Sequence, residues 1–224
     1  MSGSSSPPSS SSIRKYNGIS GASTVSFNPD TSKYTIKFDG KEIVTTVTDK
    51  ATIVEQWIQD INAIYEANSS VIVGIDVERG LVSGIGSKSA TLHLCIDNKC
   101  LILQLLHIDN LPLSLKYFLT NPNFFFVGFG VDRVISMIKT DYGLKCGVHA
   151  DIMELAKEKW PYQYNIRSGL KDLAINVVGL KMKKPKLVSL SNWEVRVLSV
   201  EQVEYGCIHA YVSYKIGHKL LMDD

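Results

Sequence analysis

The order in which apolar segments follow one another constrains this chain most. "KYTIKF" and "KEIVTTVT" alternate apolar and polar residues, and Asp39-Gly40 between them favours a tight hairpin turn. "ATIVEQWIQDINAIY" places Ile53, Trp57, Ile61 and Ile64 at helical spacing. "VIVGIDVERG" then reads as a strand, and "ATLHLCI" and "KCLILQLL", split by Asp97-Asn98, as a second hairpin. Further on, "LSLKYFL" predicts a helix, "FFFVGFGV" a buried strand, and "DRVISMIKTDYG" a helix ending near Gly143. "DIMELAKEKW", "SGLKDLAINVVG" and "VEQVEYGCIHAYVSYKIGHKLL" predict three more helices. Ser199 and Gln202 have the spacing of a capping box at the start of the last one. Strands early, then alternation, then helices to the end predict an α/β fold: a mixed β-sheet flanked by helices, without internal repeats.

A chain of 224 residues is long enough for one well-cored domain, and 45% hydrophobic with 21% charged residues is ordinary globular composition. A formal charge of +2 neither requires nor excludes a polyanionic partner, because a basic groove can be offset by acids elsewhere. The four cysteines, Cys95, Cys100, Cys146 and Cys207, contain no C-x-x-C pair, which argues against a disulfide framework or a zinc ribbon. No apolar run approaches the ~20 residues that span a bilayer, so the expectation is a soluble intracellular protein of cytoplasm or nucleus. "MSGSSSPPSSSS" is nearly all Ser and Pro, which predicts a disordered tail over residues 1–22 and a single domain over 23–224. A Ser-rich, acid-free start followed by Arg14 and Lys15 also fits an organelle transit peptide.

Asp76 and Glu78 close the apolar run "VIVGIDVERG". Residues i and i+2 of a strand share a face, so the two carboxylates stand side by side and repel one another. Hard oxygen donors in that arrangement suit Mg²⁺ or Mn²⁺, and a bound cation removes the repulsion. The bland alternative is a strand end whose acids simply face solvent.

In order and spacing, four segments resemble the DnaQ-like 3′ to 5′ exonucleases of the RNase H-like superfamily, specifically the plant proteins similar to the Werner syndrome exonuclease domain. "VIVGIDVERG" looks like the first exonuclease motif, and "ATLHLCIDNKCLILQLLH" like the paired strands after it. "FVGFGVDRVISMIKTDYGL" looks like the second motif and "SNWEVRVLSVEQVEYGCIHAYVSYKIG" like the third. The likeness covers about residues 30–222 and implies an RNase H-like fold. It also implies hydrolysis of a terminal phosphodiester of single-stranded RNA or DNA by two divalent ions, ~3.5 to 4 Å apart. Four acids hold those ions in the family, and a Tyr four residues before the last acid orients the attacking water. Some relatives assemble into rings, which makes a homo-oligomer an expectation as well.

Carried over residue by residue, the pattern is incomplete. Asp76 and Glu78 match the first motif and Tyr205 the tyrosine, but His209 stands at the third-motif acid and Val134 at the second. Asp76, Glu78 and His209 form a first site of two carboxylates and an imidazole, a set that favours Mn²⁺ over Mg²⁺. Val134 has no donor atom for a second site. Asp132 stands two residues away and is either a substitute ligand or the N-cap of the helix over "RVISMI". His209 reads as a metal ligand, a general base or a hydrogen-bonded buried imidazole. The lysines of "KMKKPK", Lys181, Lys183, Lys184 and Lys186, are either phosphate contacts or a solvated surface. Phe124, Phe125 and Phe126 read as core. Two functions follow: a weakened, metal-dependent 3′ to 5′ exonuclease, or an inactive exonuclease fold that binds nucleic acid or co-assembles with a relative.

Overall fold

The computed structural model describes residues 13–17, 23–65, 70–80, 88–164, 168–183 and 185–223. Nine strands form one sheet: β1 (Arg14–Asn17), β2 (Thr24–Asn28), β3 (Lys33–Phe38), β4 (Lys41–Thr48), β5 (Val71–Arg79), β6 (Ser89–Ile96), β7 (Lys99–Gln104), β8 (Phe124–Gly128) and β9 (His149–Asp151), in the spatial order β1-β2-β3-β4-β7-β6-β5-β8-β9. The sheet is mixed, with β4–β7, β5–β8 and β8–β9 parallel and the other pairs antiparallel. Helices α1 (Ala51–Tyr65), α2 (Leu113–Thr120), α3 (Val131–Tyr142), α4 (Ile152–Lys159), α5 (Leu170–Val178), α6 (Lys186–Ser189) and α7 (Val200–Leu221) complete the described fold.

Both hairpins turn where the sequence predicts. Asp39, Gly40 and Asp97 adopt positive φ of 50°, 72° and 50°, the left-handed conformation that a tight two-residue loop imposes. Period-two alternation sorts the side chains of β5 between two cores. Val73, Ile75 and Val77 join the residues of α1, α2 and α3, whereas the opposite face packs under α4, α5 and α7. Gly74 on that second face is a point of backbone contact, where a Cβ would lie 2.0 Å from the Ala210 carbonyl oxygen of α7. At α7 the capping box forms as its spacing predicts: Gln202 N–H donates to Ser199 Oγ over 3.2 Å, and Ser199 N–H to Gln202 Oε1 over 2.9 Å.

Three expectations are corrected. The buried face of α1 is Val54, Trp57, Ile58 and Ile61, while Ile53 and Ile64 are 42% and 50% exposed. The helix is rotated by part of a turn from the predicted face because Val54 and Ile58 offer an equally apolar stripe. Arg14–Asn17, assigned to the tail by composition, pair with Thr24–Phe27 through backbone hydrogen bonds, a ladder that needs no apolar side chains. Residues 1–12 and 18–22, the rest of the predicted tail, lie outside the described residues. The third concerns Asp132. The N-cap of α3 is Gly130, at φ 68°, and the first helical amide, Val131 N–H, donates instead to Asp151 Oδ2 of β9 over 3.1 Å. Asp132 lies inside the first turn, where its carboxylate favours the positive helix end without capping it. Phe124 and Phe126 are buried and Phe125 packs against the core, as the sequence predicts.

Candidate active site

β5 and β8 run parallel, β5 continues past the end of β8, and the candidate site lies over that carboxyl-terminal stretch of β5, near the usual place for ligands on an open α/β sheet. Gly74, Asp76 and Glu78 share one face of β5. The missing Cβ at Gly74 lets α7 settle directly on that face, so side chains on the part of α7 that precedes Ala210 hang over the two carboxylates. Those side chains are Tyr205 and His209, four residues apart, with ring centroids 3.9 Å apart and planes inclined by 30°.

Asp76, Glu78 and His209 each offer a ligand atom within 4.8 Å of the other two, the one such group of three among the described residues. His209 Nδ1 stands 3.5 Å from Asp76 Oδ2. His209 Nε2 is buried without a hydrogen-bond partner among the described residues, and the buried Asp76 Oδ2 has the His209 contact as its close polar neighbour. Orphaned polar atoms cost free energy unless something else engages them, and a divalent cation suits two carboxylates and an imidazole. The donor set therefore fits a divalent metal ion.

Charges around Asp76 hold its carboxyl below the usual range. Burial alone would raise it, but the hydrogen-bonding and charge influence of His209, and the charge influence of His93, outweigh burial. His93 on β6 is the cross-strand neighbour of Asp76. Fully buried, it has its pKa pushed down to about 4 by desolvation, which overrides the attraction of Asp76 and is reinforced by His209. Its Nε2 pairs with Thr91 Oγ1 at 2.8 Å, and its ring lies directly beneath Gly206 of α7. Trp193 stands behind both, with its ring 5.7 Å from His93 and 5.9 Å from Tyr205. Tyr205 keeps its proton at all ordinary pH, because burial and the negative charges of Glu78 and Asp76 push its pKa up. Glu78 and Ser189 lie within hydrogen-bonding influence of its hydroxyl.

A groove of about 440 Å³ opens beside the carboxylates, lined by Asp76, Glu78, Arg79, Phe129, Arg133, Val134, Met137 and Ser189 among others. Val134 is 5% exposed and belongs to the apolar core with Val77, Val131 and Ile138. Asp132 is not brought to the metal group: its carboxylate is 86% exposed and pairs with His149 Nε2 at 3.2 Å. Lys181, Lys183 and Lys186 are exposed, while Lys184 lies outside the described residues. Lys186 opens the one-turn helix α6, whose last residue, Ser189, lines the groove, so the basic segment leads to its rim. Sequence reasoning missed His93, Ser189, Arg79 and Arg133. His93 stood in an alternating strand like any other residue, and the register that sets it against Asp76 is a property of the paired sheet.

Residues 44–223 match a family model described as 3′-5′ exonuclease. The chain is 28% identical over 196 residues to a 3′-5′ exonuclease of Arabidopsis thaliana, covering 84% of this chain and 66% of that protein. It is 26% identical over 152 residues to the bifunctional 3′-5′ exonuclease/ATP-dependent helicase WRN of Mus musculus, covering 66% of this chain but 11% of that one. The chain thus spans just under two thirds of the first relative and a small part of the second. Among solved structures, RNase D of Escherichia coli superposes with TM-score 0.65 at 15% identity, over 79% of this chain and 44% of that one. The Nibbler EXO domain of Aedes aegypti does so with TM-score 0.64 at 15% identity, over 79% of this chain and 86% of that domain. Identities this low speak for the fold, an RNase H-like α/β sheet.

Proposed function

Because this chain belongs to the 3′-5′ exonuclease family, we propose that it hydrolyses terminal phosphodiesters of single-stranded nucleic acid, as a weakened, metal-dependent 3′ to 5′ exonuclease. The observation that carries the reading is the convergence of Asp76, Glu78 and His209, with the buried Nε2 of His209 engaged by no described residue, toward the carboxyl end of β5. A divalent ion held there supplies a more acidic bound water and positive charge for the phosphate oxygens. The chain's own residues do the rest. Asp76 and Glu78 hold the ion. Tyr205, protonated and pressed between Trp193 and His209, offers a fixed hydroxyl that orients the attacking water. His209 completes the ligand set, where an imidazole binds Mn²⁺ better than Mg²⁺. Lys186, which opens the turn that brings Ser189 to the groove, attracts the strand's phosphates, with the exposed Lys181 and Lys183 on the segment before it.

One observation favours a second reading, an inactive fold that retains the strand: Val134 puts hydrocarbon where a second ion needs a donor. A nuclease assay separates the two. With a 5′-labelled single-stranded oligonucleotide, the enzyme shortens the strand from its 3′ end in Mn²⁺, more slowly in Mg²⁺, and Asp76→Ala abolishes the shortening. Cleavage that survives Asp76→Ala comes from a contaminant. Binding that falls steeply with salt, with no cleavage in either ion, establishes the retained-strand reading instead.

A further inference from the structure

The groove beside the metal donors carries a cation where a two-ion site needs an acid. Asp76 and Glu78 are the carboxylates that line it, and α3 contributes Val134 and, next to it, Arg133. Asp132, the nearest acid in sequence, is turned toward His149 on β9. Arg79 also lines the groove, but its Nη1 lies 3.7 Å from Met137 Sδ along the flank of α3. No hydrogen bond or ion pair among the described residues engages the Arg133 guanidinium, which is exposed within the groove.

We propose that the site holds one divalent ion, and that Arg133 supplies the positive charge a second ion would bring, receiving the non-bridging oxygens of the substrate phosphate. The proposal rests on the exonuclease reading and names how that site meets its substrate without an acid at residue 134. Two carboxylates and one divalent ion sum to no net charge, so a phosphodiester entering the groove meets no attraction from that set. Whereas the Arg79 guanidinium lies along the flank of α3, the Arg133 guanidinium adds beside that set a positive charge that no described residue engages. Its planar fork of N–H donors matches two phosphate oxygens at once, which a hydrated ion held by Asp76 alone does not offer. A second ion in the groove would also lie close to that guanidinium and be repelled by it.

Electron paramagnetic resonance of free Mn²⁺ during a titration counts ions per chain, and calorimetry of adenosine 5′-monophosphate into the Mn²⁺-loaded protein reports the phosphate contact. The expected results are one Mn²⁺ per chain and, for Arg133→Ala, about tenfold weaker nucleotide binding with Mn²⁺ affinity undiminished. Arg133→Lys, which keeps the charge and loses the fork, falls between the two. Two Mn²⁺ per chain, or Arg133→Ala binding the nucleotide as wild type does, overturns the role of Arg133 and leaves the exonuclease reading intact. A chain that binds no Mn²⁺ overturns the reading on which the proposal rests.

Discussion

The buried histidine paired with Asp76 is expected to make the protein sensitive to acid. His93 has an ordinary pKa of 6.5 when the chain is unfolded and about 4 when folded. Between those values the unfolded chain binds the extra proton, so stability is full above the upper value and falls as pH drops toward the lower. In EDTA-treated protein, urea unfolding followed by tryptophan fluorescence is expected to lose up to roughly 3 kcal/mol across that window from this residue. His93→Asn removes that part of the slope; an unchanged slope means that His93 already titrates normally in the fold. Asp76 and His209 face the same ring, so the comparison is made at fixed salt and without metal. Val134 poses a different trade. Val134→Asp together with His209→Asp supplies acids at the two positions where the exonuclease resemblance expects them, and cleavage in Mg²⁺ is expected to rise at least a hundredfold. Because residue 134 lies at the edge of an apolar core, the double variant is also expected to be less stable, by roughly 1–3 kcal/mol in the same urea assay. A stable variant with no gain in cleavage shows that ligand loss is not what limits the wild type.

The placement of α7 decides whether the donors meet. Gly74→Ala would set a methyl group 2.0 Å from the Ala210 carbonyl oxygen and 2.7 Å from the Tyr214 amide nitrogen, backbone atoms that cannot rotate aside. The expected cost is roughly 3 kcal/mol or more in urea unfolding, with Mn²⁺ affinity reduced at least tenfold because His209 is lifted from Asp76. Wild-type Mn²⁺ affinity in Gly74→Ala would mean the helix finds its place without that contact. At this scale the sequence is informative. α3, α4, α5 and α7 were legible from their apolar spacing, with Gly143 and Ser199 marking two of their ends correctly, whereas the single turn α6 beside the lysine cluster was not. α1 was legible as a helix but not in its facing, because Ile53 and Ile64 compete with Val54 and Ile58 for the buried stripe. β1 was not legible at all: "RKYN" has the composition of a surface loop, and its partner strand alone makes it a strand.

Two apolar cores, one on each face of the sheet, hold the molecule together, and the cysteines lie in or beside them. Cys95, Cys100 and Cys207 are buried free thiols, and partial burial pushes the Cys146 thiol up to about 12. At pH 8 the folded protein is therefore expected to react with a disulfide reagent at far less than one thiol per chain within minutes, and at all four thiols in urea. One fast-reacting thiol in the folded protein would contradict this burial. The candidate site was half legible at the whole-molecule scale. The paired acids of β5 and the tyrosine–histidine pair of α7 were visible in their motifs, but strand register alone sets His93 against Asp76, and the packing of α3 alone turns Arg133 into the groove. The separation of those motifs along the chain also has a temporal side. Asp76 and Glu78 leave a ribosome long before His209 does, and His209 reaches them only when α7 lies down on Gly74. A growing polypeptide therefore displays the paired carboxylates long before the imidazole that completes the donor group can join them.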